Sequence, residues 1–491
     1  MKLSEIQKQI ASIRIFNDQI ISLEQIKRDN QSFQKNDVFV AIKGNSWDGH
    51  SFIEEAAKTA SLVVIEDPQY VEVLQMAKCN FWYAANARKA LTDLLAILVN
   101  SKLQEMGFIG ITGTNGKTSL SNLLEQAYEC SGESIGVIGT IDHHYKNQVW
   151  PTKLTSPGPI ELVHRLIEMS EAGAHKIAME VSSHALDQYR ADSIRFKAAV
   201  FLNLTQDHLD YHHSMENYFR AKCRLFTDLL TEDGIAVINK DDPYGQRLMD
   251  LPIKNKKVSF GRLGSSADYN YEILEESLSS LKINVKSNSH QEELSLNLLG
   301  SYNAENFVAA LAVANEMIPN FSWKHFAQNT KPIRGRLERV ENEKELHCFV
   351  DYAHTPDALL KALQAINNAN LKKKKVHCVF GAGGDRDKTK RPLMAKAAES
   401  LADFIYVTSD NPRTEDPQAI IDDIFEGFKK KKSKKIFSEI DRKKAMQMAV
   451  NNAKLGDVIL VAGKGHEDYQ EINGERLFFS DVQALKEILG N

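Results

Sequence analysis

The stretch Gly110-Ile111-Thr112-Gly113-Thr114-Asn115-Gly116-Lys117-Thr118 concentrates residue types that handle phosphate. An apolar run at 108–111 predicts a strand before it, and Leu120, Leu123, Leu124 and Ala127 predict a helix after it. A strand, a glycine-rich turn and a helix N-terminus form an anion cradle, because unpaired backbone N–H groups converge there. Lys117 would face the outer phosphates of ATP and the Thr118 hydroxyl would ligate Mg²⁺. Gly113, Thr114, Asn115, Gly116 and Ser119 complete the cradle. A Walker A spacing asks for glycine at 111; this chain has Ile111 there, with glycines at 110 and 113 instead. Gly-Lys-Thr at a helix start still makes a chance turn a poor explanation.

Two further clusters follow in the same half of the chain. Glu180, in Ala178-Met179-Glu180-Val181-Ser182-Ser183-His184, ends an apolar run and could hold a second divalent ion beside the phosphates. In Asn203-Leu204-Thr205-Gln206-Asp207-His208-Leu209-Asp210-Tyr211-His212, the His208/His212 spacing would suit zinc on a helix. No thiol pair or third histidine stands at a fitting distance and the phosphate loop calls for Mg²⁺, so zinc is not expected and His208 alone is singled out. Read by itself, Lys222 is a solvated helix lysine.

The elements that must position these groups follow an alternating rhythm. Apolar runs at 37–41, 62–65, 135–138, 177–181, 198–204 and 236–238 predict strands. Helical patterns at 87–99, 160–172 and 216–230 fall between them, which is a parallel α/β arrangement. Turn-rich residues 261–288 predict extra β-structure of unassigned pairing. After Pro332 a second set begins, with strands at 347–350, 376–380, 404–408 and 458–462 and helices at 356–366, 392–401, 418–428 and 443–451. Each of these strands ends in a polar or glycine-rich cluster, at 351–354, 381–386, 410–413 and 463–467. In open α/β sheets ligands bind beyond the carboxyl ends of strands, so these clusters predict one binding edge.

Length and composition bound the answer. The 491 residues call for roughly three domains, and 43% hydrophobic residues supply several cores. A net charge of −4 gives no general attraction to nucleic acid or anionic membrane. Five scattered cysteines (79, 130, 223, 348 and 378) form no C-x-x-C pair, as in a reducing compartment. The N-terminus lacks the apolar core of a signal peptide, and no apolar stretch nears the ~20 residues of a membrane span. A cytoplasmic, monomeric enzyme acting on small molecules is expected.

The Thr-Asn-Gly-Lys-Thr loop, Glu180-Val181-Ser182-Ser183-His184, Asp207-His208-Leu209-Asp210-Tyr211-His212 and Ala221-Lys222 together resemble the Mur ligases and, more distantly, the folylpolyglutamate synthetases. The resemblance implies three α/β domains: a UDP-MurNAc-binding domain at 1–86, a P-loop ATPase domain at 87–331 on a mostly parallel sheet, and a Rossmann-like amino-acid-binding domain at 332–491. It implies that Glu180 and His208 coordinate magnesium and that Lys222 carries a CO₂-derived carbamate, as N6-carboxylysine, that takes part in the metal site. Asn303 and Asn306 would lie near adenine, Arg336 would reach the nucleotide, and His354 would assist phosphoryl transfer.

Asp351-Tyr352-Ala353-His354-Thr355-Pro356, Gly383-Gly384-Asp385-Arg386-Asp387-Lys388, Asp410-Asn411-Pro412-Arg413 and Gly463-Lys464-Gly465-His466-Glu467 are similar to the family's meso-diaminopimelate-adding branch. Arg386, Asp410, Asn411, Pro412, Arg413, Gly463 and Glu467 would bind that amino acid: arginine forks suit its distal carboxylate and Glu467 its ammonium. Asn30, Asn45, Ser46, Trp47, Thr155, Ser156, Ser182, Gln188 and Arg190 would contact UDP-MurNAc-dipeptide; where the family usually reads Asp-Ser-Arg, this chain has Asp29-Asn30-Gln31. The implied activity is ATP-dependent amide ligation through an acyl phosphate, placing diaminopimelate on UDP-N-acetylmuramoyl-L-alanyl-D-glutamate. A lysine-adding ligase, a folylpolyglutamate synthetase and a non-catalytic nucleotide-gated module are the alternatives.

Overall fold

The computed structural model describes residues 1–21, 25–27, 37–44, 48–152, 154–429 and 433–490. The chain divides into two compact units, one of residues 1–121 and 133–258, the other of 122–132 and 259–491. Asn30, Asn45, Ser46 and Trp47 lie outside the described residues.

The first unit contains two sheets. A five-stranded sheet runs in the order Ile13–Arg14, Phe81–Tyr83, Leu62–Ile65, Val38–Val40, Ile26–Lys27, with only the first of these strands antiparallel to its neighbour. In the second sheet the phosphate-loop strand Gly107–Thr112 lies between Lys176–Glu180 and Phe196–Phe201, parallel to both. Leu230–Asn239 extends the sheet beside Phe196–Phe201, and Gly136–Ile138 extends it beside Lys176–Glu180. The antiparallel strands His143–Tyr145 and Gln148–Trp150 finish that edge. Phe108, Ile109, Ile111, Ile177, Ala178, Met179, Ala198, Ala199 and Val200 are all buried, as in parallel strands covered on both faces. Because these strands run the same way, Thr112, Glu180 and Asn203 emerge at one edge. The helix that follows the loop, Lys117–Cys130, buries Leu120, Leu123, Leu124 and Ala127.

The second unit carries a six-stranded sheet ordered Glu338–Val340, His347–Asp351, Val458–Ala462, Val376–Phe380, Phe404–Val407, Ile436–Ser438. All its pairings are parallel except the first. The clusters at 351–354, 463–467, 381–386 and 410–413 therefore leave adjacent strands at the same edge, as the sequence predicts. Residues 261–288 fall largely into the antiparallel strands Tyr269–Glu276 and Leu281–Lys286, and Gln291–Leu296 pairs with the latter. Thr355 caps the helix Pro356–Ala369, its hydroxyl accepting from the Ala358 N–H, with proline in the first turn.

Three elements near the predicted edge are absent from the sequence reading. One is the hairpin Tyr469–Ile472 and Glu475–Phe478, and another the terminal helix Asp481–Leu489. The third is a pair of fully buried arginines. Arg442 makes a two-point ion pair with Asp481 at 2.7 Å on each side and donates to the Ala462 carbonyl. Arg391 forks onto Glu415 and Asp423 and donates to the Gly383 carbonyl, holding the Glu415 carboxyl down at about 2. Both guanidiniums thus brace backbone beside the site loops. No helix among the described residues is long and apolar enough to cross a membrane.

Candidate active site

In the first unit the phosphate loop is clasped from one side by the segment after Phe196–Phe201. The Asn115 N–H donates to Asn203 Oδ1 at 2.9 Å, and Asn203 Nδ2 donates back to the Asn115 carbonyl at 3.2 Å. The Thr114 N–H donates to the Asn203 carbonyl, while its Oγ1 accepts from the Thr205 N–H and lies 3.2 Å from the Tyr218 hydroxyl. Gly116 adopts φ +89°, a conformation that glycine reaches without strain, and the helix starts at the next residue. Lys117 Nζ bridges the Gly113 and Thr114 carbonyls at 2.9 and 3.0 Å, so its charge stands at the loop mouth.

Glu180 is almost wholly buried, and at its strand end it pairs in register with Ile111, one residue before the end of the loop strand. Its carboxylate accepts from the Thr140 N–H and hydroxyl and from Thr118 Oγ1 at 3.2 Å. Two hard oxygen donors, Thr118 Oγ1 and Glu180 Oε2, therefore share one spot at the helix mouth, a donor set that fits Mg²⁺. His208 is exposed, in the left-handed region at φ +52°, with contacts to Asp207, His184 and Tyr218 rather than to Glu180.

Lys222 is the unexpected member. It is 1% exposed, three or four residues from buried Tyr218, Phe219, Leu225 and Phe226 on one helix face, a spacing that reading it as solvated overlooks. Its Nζ donates to the Gly113 carbonyl at 3.0 Å and to Thr112 Oγ1 at 3.3 Å, over the Tyr218 ring. Burial, reinforced by the Lys117 charge, pushes the Lys222 amine well below the ordinary lysine range. The helix that carries it, Met215–Thr227, is capped by Ser214 and anchored through buried Tyr218, Leu225 and Phe226.

A polar web adjoins this edge. The Thr155 hydroxyl lies 3.1 Å from that of Thr140, and the Ser156 hydroxyl donates to the Glu180 carbonyl while accepting the Ser182 N–H. Arg190 holds Gln188 Oε1 with two nitrogens and donates to the Ser156 carbonyl. The structure thus brings Thr155, Ser156, Ser182, Gln188 and Arg190 together around Glu180.

The second unit holds the other predicted groups. Asn303 and Asn306 are buried on the helix Ser301–Met317; Asn303 Nδ2 donates to the Leu299 carbonyl, and its buried Oδ1 has no partner among the described residues. Arg336 lies over the Tyr352 ring between Gly335 and Leu337, both at positive φ. His354 Nδ1 lies 2.8 Å from the Tyr352 carbonyl. A carbonyl only accepts, so Nδ1 carries the proton and Nε2 is left for a ligand. Asp410 and Asn411 are buried, and Gly463, at φ +120°, lets the backbone pass against the Asp410 carboxylate where a Cβ would collide. Arg413 follows Pro412, donates to the Gly384 carbonyl at 2.6 Å and faces Glu471 at 3.7 Å, whereas Arg386 is exposed. Glu467 accepts from Asn411 Nδ2 and from Lys464 Nζ, a lysine that sequence reasoning passed over. Burial pushes the Glu467 carboxyl up, with Asp410 adding to it and Lys464 opposing.

The family model for the Mur ligase middle domain matches residues 111–314, and that for the Mur ligase, glutamate ligase domain matches residues 335–465. The UDP-N-acetylmuramoyl-L-alanyl-D-glutamate–2,6-diaminopimelate ligase of Aquifex aeolicus (strain VF5) is 41% identical over 95% of this chain and 93% of its own. The enzyme of that name from Bacteroides thetaiotaomicron is 36% identical over 99% of this chain and all of its own. A solved structure titled as a UDP-N-acetylmuramoyl-L-alanyl-D-glutamate–2,6-diaminopimelate ligase superposes with a TM-score of 0.70 at 31% identity, covering 95% of this chain and 94% of the other. The folylpolyglutamate synthase of Mycobacterium tuberculosis shares the fold, with a TM-score of 0.61 at 17% identity over 82% of this chain and 95% of that one. Matched along nearly its whole length, the chain belongs to the Mur ligase family.

Proposed function

We propose that the chain is an ATP-dependent amide ligase that adds meso-2,6-diaminopimelate to UDP-N-acetylmuramoyl-L-alanyl-D-glutamate, a step of peptidoglycan precursor synthesis. The observation that carries this reading is the convergence of Lys117, Thr118, Glu180 and Lys222 on one phosphate loop, in a chain matched end to end by ligases of that name. The terminal D-glutamyl carboxylate attacks the γ-phosphorus of ATP, forming an acyl phosphate and releasing ADP. The amino group of diaminopimelate then attacks the acyl carbon, and the tetrahedral intermediate expels phosphate.

The protein's part is positioning and charge. Lys117, already at the loop mouth, offsets negative charge on the transferred phosphoryl group. Thr118 and Glu180 would hold Mg²⁺, which neutralises phosphate charge when bound. Ser156, Ser182, Gln188 and Arg190 hold the UDP-dipeptide, whose carboxylate must reach the γ-phosphate. Asn303 offers to adenine an Oδ1 with no partner among the described residues, and Arg336 and His354 serve the phosphate chain. Arg413 and Arg386 fork onto the distal carboxylate of diaminopimelate, and Glu467 meets the distal ammonium. With lysine those arginines would lose the substrate's distal carboxylate, and only Glu471 would remain near Arg413 among the described residues. Phosphate release that requires ATP, the UDP-dipeptide and diaminopimelate together tests the reading; release independent of the amino acid would overturn it.

Lys222 works as an anion in this account. Burial favours the neutral form of its amine, whose lone pair adds to CO₂ with loss of one proton, giving a carbamate beside Thr112 and Gly113. Depleting dissolved CO₂ at mildly acidic pH lowers activity on this account, and bicarbonate restores it. Lys222→Arg keeps a cation that cannot form the carbamate, so its activity falls steeply and bicarbonate brings no recovery. Full activity in Lys222→Arg would reject the modification.

A further inference from the structure

Glu467 uses its two carboxylate oxygens unequally. Oε2 accepts from Asn411 Nδ2 at 2.9 Å and pairs with Lys464 Nζ at 3.1 Å, whereas Oε1 carries no hydrogen bond among the described residues. Lys464 Nζ also donates to Asn411 Oδ1 at 3.2 Å, so lysine, asparagine and glutamate close a three-membered ring of polar contacts. The Glu471 N–H adds a second donor to Asn411 Oδ1, tying the ring to the hairpin strand Tyr469–Ile472. Lys464 is fully buried, its ammonium 5.3 Å from the centre of the Tyr469 ring, and the glycines on either side have φ of +120° and +54°. That backbone turns the lysine inward, and the Glu467 N–H closes the turn on the Lys464 carbonyl.

A buried ammonium beside a carboxylate is tolerated only with its partners in place, so this one fixes its neighbours as firmly as they fix it. We propose that Lys464 is a positioning residue for amino-acid selection: it pins Glu467 through Oε2 and presents Oε1 to the distal ammonium of the incoming amino acid. The inference rests on the assignment of Glu467 to that ammonium. Lys464 itself does not touch the substrate. Its charge also opposes the upward push that burial and the nearby Asp410 exert on the Glu467 carboxyl.

The test compares two acceptors in the full-length enzyme: meso-diaminopimelate and 2-aminopimelate, which keeps the distal carboxylate but lacks the distal amine. Wild type uses diaminopimelate better, because only that acceptor satisfies Oε1. In Lys464→Met the diaminopimelate kcat/KM falls on the order of 10- to 100-fold, the scale of a lost hydrogen bond to a charged group, through KM. Turnover of 2-aminopimelate and the KM for ATP stay within about 3-fold, since neither depends on a contact to a charged oxygen of Glu467. Lys464→Gln, a neutral donor in the same space, shows the same selective loss and serves if the methionine variant does not fold. Equal losses on both acceptors, or no loss on either, would overturn the positioning role while leaving the ligase intact. Wild type that does not distinguish the two acceptors would instead remove the Glu467 assignment, and this inference with it.

Discussion

Lys117→Ala should reduce ATP-dependent ligation by at least on the order of 10²–10³-fold while leaving a folded protein, because one charged donor aimed at the transition state is lost. The side chain is already committed to the loop: its ammonium bridges the Gly113 and Thr114 carbonyls at the start of the helix Lys117–Cys130. As the phosphoryl group transfers, charge spreads over its oxygens, and a fixed cation there lowers the barrier without reorganising. The loop keeps its other supports in the variant, since Asn203 clasps Asn115 and Thr205 holds Thr114. Circular dichroism should therefore be unchanged while the phosphate-release rate collapses. Near-normal turnover in a folded Lys117→Ala would sink the phosphate-loop assignment.

The second large effect concerns the choice of amino acid. Arg413→Ala should raise the diaminopimelate KM steeply, with a loss of about 2–5 kcal/mol in the charge-assisted contact, or roughly 30-fold to several-thousand-fold in kcat/KM. Part of that loss comes from the protein itself. Arg413 Nη1 also donates to the Gly384 carbonyl, so truncation releases the loop that presents Arg386. Arg386→Ala should act in the same direction with a smaller effect, because that side chain is exposed and braces nothing else described. The double variant should be less than additive if both hold one carboxylate. Lysine use should improve little, since deleting an arginine does not create a lysine pocket. An unchanged diaminopimelate KM in Arg413→Ala would remove the specificity assignment and leave the ligase reading standing.

Much of this arrangement is readable in the chain because its signals are local. The loop at 113–118 sits between a run of period-free apolar residues and a helix with apolar residues at 120, 123, 124 and 127, and the structure has that strand and helix. Glu180 stands out because a carboxylate ends an otherwise apolar strand, and it is buried against the loop helix. Strand-end clusters in the second unit are legible for the same reason, and the parallel pairings bring them to one edge.

What escapes the sequence depends on partners far along the chain. Lys222 reads as a solvated helix lysine although it shares a face with Tyr218, Phe219, Leu225 and Phe226; its hydrogen-bond partners, Thr112 and Gly113, lie about 110 positions away. Lys464 looks like a loop residue between two glycines, and its partners Asn411, from another strand end, and Glu467 make it a buried cation. Asn203 could have been noticed as the first polar residue after a buried strand, but its clasp on Asn115 needs the register of two parallel strands. The ion pairs of Arg442 with Asp481 and of Arg391 with Glu415 leave no periodic trace at all. The hairpin Tyr469–Ile472 and Glu475–Phe478 lacks apolar alternation strong enough to mark it as strands.

The central claim is the transfer of one particular amino acid. The most direct measurement incubates the chain with ATP, Mg²⁺, UDP-N-acetylmuramoyl-L-alanyl-D-glutamate and equal concentrations of meso-diaminopimelate and L-lysine, and weighs the nucleotide product by mass spectrometry. The account predicts that nearly all of the product carries diaminopimelate and that one phosphate is released for each amide formed. A product carrying mainly lysine, or phosphate release with no gain in mass, would contradict it.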